Sequence, residues 1–177
     1  INSCDDFQEK VPVRTYEEIF PYIKKLRNGA ENVLWPGKTK WFAKSSGTTN
    51  AKSKYIPFTE DALNDCHYKA GNDMLAIYCN NHPQTTVFDG KGLMLGGSME
   101  SNSIANYTDG DLSALLIENF PFWINIHRTP DLETALHPNW EKKLEKIVEQ
   151  SILEDVTSLT GASSWMLIVL NQVLKKT

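Results

Sequence analysis

The sequence predicts an α/β fold, a mainly parallel or mixed sheet flanked by helices. Short runs rich in aromatic and β-branched residues alternate with longer stretches whose apolar residues recur at helical spacing. The length, 177 residues, suits one domain. A chain of that size can bury roughly 70% of its unfolded surface without a metal or disulfide staple. With 41% hydrophobic and 23% charged residues, the composition is ordinary for a globular protein. It excludes a disordered tail, a collagen and a coiled coil. No internal repeat or low-complexity linker interrupts the pattern.

Along the chain, Phe7, Val11 and Val13 suggest an extended start. Thr15 then predicts a helix N-cap, with Glu18 at the capping-box position. Ile19, Tyr22, Ile23 and Leu26 give that helix an apolar face, and Gly29 supplies a stop. Trp35-Pro36-Gly37 reads as a turn. Residues 40–44, with Trp41 and Phe42, form a short strand candidate, and a small-polar run follows over 45–53. Residues 59–80 read as a helix capped by Thr59. Its stripe is Ala62, Leu63, Cys66, Ala70, Met74, Ile77 and Tyr78, and Gly71-Asn72 weakens its middle. Residues 92–97 predict a short buried strand ending in glycines. Residues 112–118 predict a helix whose extension Pro121 limits. The region 129–151 reads as helical, with Pro138 in the first turn of its main part and Trp140, Leu144, Ile147 and Val148 on one face. Residues 156–161 predict a strand, and 164–175 a final apolar helix.

Charge and residue usage narrow the function. There are 18 Lys+Arg against 22 Asp+Glu, a formal net charge of −4. Nucleic acid is therefore not expected as a partner, because a binder of phosphate backbone needs a basic face. No window approaches the ~20 apolar residues of a membrane span, so no membrane partner is expected. No secretory leader is visible at the start. Cys4, Cys66 and Cys79 show no disulfide framework, which suits a reducing, cytoplasmic location. His67, His82, His127 and His137 are scattered, and no metal-ligating residue is assigned. Cys66 and His67 are adjacent, but neighbours on a helix point in different directions, so the pair reads as structural. Asn106-Tyr107-Thr108 fits a glycosylation sequon that a cytosolic protein would not use.

One segment carries chemistry. Residues 45–54 read Ser45-Ser46-Gly47-Thr48-Thr49-Asn50-Ala51-Lys52-Ser53-Lys54, directly after a predicted strand. Hydroxyls and free backbone N–H groups donate to phosphate oxygens. Gly47 lets the backbone approach a ligand closely. A lysine at the end of the loop offers a mobile point charge to a phosphate tail. The plainer alternative is a solvated polar loop. The segment is not the P-loop of kinases and GTPases, because Lys52 stands where the second glycine is required. Gly90 and Gly92 begin a dinucleotide fingerprint, but Leu95 occupies its last position.

The loop resembles the Ser-Gly-Thr-Thr phosphate loop of adenylate-forming enzymes. In acyl-CoA synthetases the loop's lysine would fall at Ser53; here it comes one residue later, at Lys54, with Pro57 following. That spacing resembles the Gretchen Hagen auxin-responsive promoter family of acyl-acid amido synthetases. The stretch Phe7-Gln8-Glu9-Lys10-Val11-Pro12-Val13, with Thr15-Tyr16-Glu17 and Pro21-Tyr22-Ile23, is similar to that family's lead into the loop. Gly110-Asp111-Leu112-Ser113-Ala114 and Gly161-Ala162-Ser163-Ser164-Trp165 are similar to its bacterial-type members. The resemblance runs over nearly the whole chain.

The resemblance implies ATP- and Mg²⁺-dependent activation of a carboxylic acid as an acyl-adenylate. Transfer to an amine, usually an amino acid, then gives an amide. It implies that Ser45, Ser46, Gly47, Thr48 and Thr49 cradle the ATP phosphates and that Lys54 faces the β/γ-phosphates as the catalytic lysine. In plant members the helix after the loop lines the acyl pocket, with an arginine on the substrate carboxylate. Asp73 or Met74 falls there in this chain, so an acid gripped in the plant manner is not expected. Trp165 is a further acyl-pocket candidate, with a buried core aromatic as the alternative. The expected organisation is a single partial domain over 1–177. It has a lead-in with a helix over 1–40 and an α/β region over 41–177 that carries the loop at 45–54. This is part of the large N-terminal domain of an adenylate-forming enzyme. The adenine, ribose and magnesium elements and the C-terminal domain are expected outside it, and the segment alone is expected to be inactive. An acyl-CoA ligase forming a thioester and a non-catalytic nucleotide-binding remnant are the alternatives.

Overall fold

The computed structural model describes residues 2–45, 53–102 and 107–177. The chain starts in a helix, α1 (Cys4–Lys10), where the apolar pattern suggests an extended lead. Local terms explain the difference. Ser3 Oγ accepts from the Asp6 N–H at 3.1 Å, Asp5 and Asp6 sit at the positive end of the helix, and Lys10 lies in its last turn. No residue of α1 is buried, so the alternating apolar residues have no sheet to join. The chain becomes extended only at Val11. Helix α2 (Tyr16–Arg27) carries the expected capping box, with Thr15 N–H donating to Glu18 Oε2 at 2.7 Å and Glu18 N–H to Thr15 Oγ1 at 3.3 Å. It ends at Gly29, whose φ of 89° is a left-handed turn that glycine adopts without a Cβ penalty.

Two small sheets follow. In the first, β1 (Trp41–Lys44) forms an antiparallel hairpin with β2 (Tyr55–Phe58), pairing Trp41 with Phe58 and Lys44 with Tyr55. On its other side β1 runs parallel to β5 (Tyr107–Gly110), which pairs antiparallel with β4 (Met99–Asn102). The order is β2-β1-β5-β4. In the second sheet, β3 (Lys91–Met94) lies between β6 (Arg128–Thr129) and β7 (Val156–Thr160), all parallel. The sheet character is thus mixed in one half and wholly parallel in the other.

Between β2 and β3, Ala62–Tyr68 wind as a π-helix and lead into α3 (Lys69–Asn81). Thr59 Oγ1 accepts from the Ala62 N–H at 3.1 Å, as the predicted cap should. The helix runs through Gly71 without a break. Of its expected stripe Leu63 is buried, but Met74, Ile77 and Tyr78 are exposed. Helix α4 (Leu112–Glu118) has the predicted bounds and buries Ala114, Leu115 and Ile117. After Pro121 comes a short helix, α5 (Phe122–Ile126). The region 129–151 is two helices, α6 (Leu132–Ala135) and α7 (Trp140–Ser151). Pro138 precedes the N-cap of α7 instead of sitting in its first turn. Asn139 is the cap, its Oδ1 accepting from the Lys142 N–H at 2.9 Å. The last helix is α8 (Ser163–Lys176).

Each sheet has its own core. Ile23, Leu26, Phe42 and Tyr107 pack α2 onto the first. Leu93, Leu95, Ile147, Val148, Met166 and Val169 pack α7 and α8 onto the second. No helix among the described residues is long and apolar enough to cross a membrane.

Candidate functional site

The predicted phosphate loop connects β1 to β2, so hairpin pairing sets where it begins and ends. Ser45 N–H donates to the Lys54 carbonyl at 2.9 Å, and Lys54 N–H donates to Ser45 Oγ at 3.2 Å. These bonds extend the ladder one step past the last strand pair and clamp the neck of the loop. Ser46, Gly47, Thr48 and Thr49 lie outside the described residues.

The neck opens beside the ends of two parallel strands. β1 and β5 both finish here, at Lys44 and Gly110. A cavity of about 100 Å³ lies at this point, lined by Lys44, Ser45, Ser98, Asp109, Gly110 and Asp111. Crevices beyond the carboxyl ends of parallel strands are where α/β folds bind ligands, because the strands deliver loops there with free backbone groups.

A cation–carboxylate pair supports the cavity from below. Arg27, in the last turn of α2, donates from Nη2 to Asp109 Oδ2 at 2.6 Å. Its guanidinium lies 3.8 Å from the centre of the Tyr55 ring and 5.1 Å from that of Tyr107. A planar guanidinium can stack on rings and bind a carboxylate at once, which an ammonium cannot. Burial pulls the Arg27 pKa down, but Asp109, Tyr107 and Tyr55 together leave it raised. Asp109 is thus held in the cavity wall by a pair that joins α2 to β5.

Lys54 is exposed, and its Nζ rests 5.1 Å from the centre of the Tyr16 ring. Tyr16 is itself fixed, with its hydroxyl accepting from Tyr55 N–H at 2.9 Å and donating to the Tyr55 carbonyl at 3.3 Å. An exposed cation–π contact contributes only about 0.5–1 kcal/mol. The Lys54 ammonium is therefore only lightly held at the neck. The other predicted residues lie apart. Asp73 and Met74 are exposed on α3, and Trp165 packs against Trp140 with ring centres 4.9 Å apart and the planes tilted by 41°. None of the three lines the cavity.

The residues absent from the sequence-level expectation are Ser98, Asp109, Asp111 and Arg27. One local signal existed: Asp109-Gly110-Asp111 ends a strand with two carboxylates around a glycine, a pattern suited to a ligand-facing turn. Nothing local marks Arg27, whose partner is far along the chain.

The chain is similar to known proteins. Residues 1–172 match the GH3 family N-terminal domain. A probable indole-3-acetic acid-amido synthetase, GH3.13 of Oryza sativa subsp. japonica, is 41% identical over 58 residues, 32% of this chain and 12% of that protein. The jasmonoyl–L-amino acid synthetase JAR6 of Nicotiana attenuata is 33% identical over 58 residues, 32% of this chain and 10% of that protein. Among solved structures, a GH3.15 acyl acid amido synthetase superposes with a TM-score of 0.71 at 19% identity, which shows a shared fold. That match covers 97% of this chain and 30% of the solved one, so the chain spans under a third of that relative's length. The chain belongs to the GH3 family.

Proposed function

We propose that this chain holds the phosphates of ATP within an acid–amine ligase. A substrate carboxylate attacks the α-phosphorus, pyrophosphate leaves, and an acyl-adenylate forms. An amine, such as that of an amino acid, then attacks the activated carbonyl and AMP departs, leaving an amide. A carboxylate is a poor acyl donor until its oxygen belongs to such a leaving group. The protein must therefore hold the triphosphate, neutralise charge building on pyrophosphate and keep water from the mixed anhydride.

One observation carries the reading. The Ser45–Lys54 neck is clamped at the carboxyl ends of the parallel pair β1–β5, and in the sequence the hydroxyl-rich run lies between those two residues. In this reading Ser45, Ser46, Gly47, Thr48 and Thr49 cradle the phosphates. Lys54 leaves Tyr16 to meet the β/γ-phosphates. Asp73, Met74 and Trp165 are proposed for the acyl pocket on the resemblance alone. Among the described residues no three His, Cys, Asp or Glu side chains gather to hold a metal. Mg²⁺ would arrive on the phosphate oxygens of ATP, the hard ligands it prefers.

Isotope exchange between pyrophosphate and ATP tests the reading, run with the protein that carries this chain and a panel of carboxylic acids. Exchange that requires an acid, followed by amide formation with an amino acid, is expected. Thioester formation with coenzyme A in place of the amide would contradict the acceptor assignment. Absence of exchange with every acid would contradict the adenylation step.

A further inference from the structure

Lys143 is out of place in an aliphatic core. It lies on α7, one turn before the buried Ile147 and two turns before the buried Ser151, and it is only 3% exposed. An apolar residue would fill such a position at no desolvation cost. The ammonium is used instead. Lys143 Nζ donates to the Gly96 carbonyl at 2.7 Å and to the Gly97 carbonyl at 3.1 Å. Those carbonyls belong to the segment that leaves β3 in one sheet and enters β4 in the other.

The opposite side of this segment presses on the start of α4. A Cβ on Gly97 would lie 1.9 Å from Asp111 Oδ2, so only glycine fits. Gly97 N–H donates to Ser113 Oγ at 3.0 Å, and Ser98 N–H donates to Asp111 Oδ2 at 3.1 Å. Asp111 N–H returns a bond to the Ser98 carbonyl at 3.1 Å. Ser98 and Asp111 both line the cavity beside the loop neck. Burial lowers the pKa of Lys143, and the negative charge of Asp111 works the other way.

We propose that Lys143 is a positioning residue for the phosphate site. Its ammonium holds the Gly96-Gly97 carbonyls, fixes the Ser98–Asp111 wall, and offsets the negative charge of Asp111 where a triphosphate must approach. It touches no substrate. The role rests on the ATP-phosphate reading of the cavity.

The test uses the protein that carries this chain. Acid-dependent exchange between pyrophosphate and ATP gives KM for ATP, KM for the acid and kcat, with thermal melting measured alongside. Lys143→Met is expected to raise KM for ATP roughly tenfold or more while KM for the acid stays within about twofold. Lys143→Arg keeps the charge and is expected to return KM for ATP to within about threefold of the parent. A folded Lys143→Met protein with a lower melting temperature and an unchanged KM for ATP would overturn the proposal. Should that variant fail to fold, Lys143→Gln takes its place. It keeps a hydrogen-bonding amide but loses the charge and the reach to both carbonyls, and is expected to give the same selective rise; an unchanged KM for ATP there overturns the proposal equally. Absence of exchange in the unsubstituted protein removes the ATP reading itself, and Lys143's role with it, before any variant is compared.

Discussion

The two sheets are built on different chemistry. The β6-β3-β7 sheet is wholly parallel, and its core of Leu93, Leu95, Ile147, Val148, Met166 and Val169 is aliphatic apart from one sulfur. The β2-β1-β5-β4 sheet is mixed, and its core adds the rings of Phe42 and Tyr107 and the Arg27–Asp109 pair to the aliphatic Ile23 and Leu26. Phe42 and Tyr107 meet edge to face, with centres 5.1 Å apart. Aliphatic packing is non-directional and supplies stability. Aromatic and ionic packing fixes orientation, because a guanidinium between rings and a carboxylate has few alternatives. The cavity and the loop neck sit on the second kind of sheet. The aliphatic sheet mainly stabilises and the other mainly positions, with Lys143 of α7 reaching from the first to the Gly96-Gly97 carbonyls that lead into the second.

That separation can be broken by substitution. The largest effect on stability should come from the aliphatic core. Ile147→Ala removes a side chain with 0% exposure and is expected to cost about 3–5 kcal/mol in a denaturant melt. Exchange kinetics of the folded fraction should be unaffected; a selective rise in KM for ATP would blur the division. Arg27→Met tests the other region. It takes the guanidinium away from the Asp109 carboxylate, and since the Arg27 side chain is 23% exposed the loss should be about 2 kcal/mol, less than for a fully buried pair. This variant should also weaken ATP binding, measured by calorimetry, and a purely structural Arg27 would leave that binding intact.

The smallest effect is a pH dependence at the edge of the aliphatic region. Burial pushes the Asp131 pKa up, but bonds from the Thr134 N–H, Gln150 and the Thr134 hydroxyl, with the Lys146 charge, leave it lowered. A carboxyl depressed in the folded state binds fewer protons there than in the unfolded chain. Its contribution is therefore present above the unfolded value and lost as pH falls through the folded one. Asp131→Asn should lower the melting temperature at neutral pH, and the gap should close in acid, below about pH 4. A gap that stayed constant with pH would show that charge is not what Asp131 contributes.

The elements legible in the sequence are those with strong local rules. The Thr15–Glu18 capping box, the α4 bounds and the α7 face of Ile147 and Val148 all follow from spacing. The elements that were hidden depend on partners. β2 contains Pro57, which reads against a strand, yet β2 is an edge of its sheet and can accept a proline. The β4–β5 hairpin is polar and glycine-bearing, and its strands gain meaning only when β1 pairs with β5. At the site, Ser45 and Lys54 were visible because the loop's own spacing marks them. Arg27, Ser98, Asp109 and Lys143 were not, because each acts on a residue brought close only by folding. A buried lysine looks like any surface lysine in a sequence.

The central claim is that the clamped hairpin loop is where ATP's phosphates are held. Lys54→Ala tests it most directly, through the rate of acid-dependent exchange between pyrophosphate and ATP in the protein that carries this chain. Lys54 is exposed, so its loss should leave thermal melting nearly unchanged. The account predicts a fall in exchange of roughly 10- to 1,000-fold, the scale of losing a charge-stabilising group. Exchange at the parent rate would remove Lys54 from the mechanism and contradict the assignment of the loop.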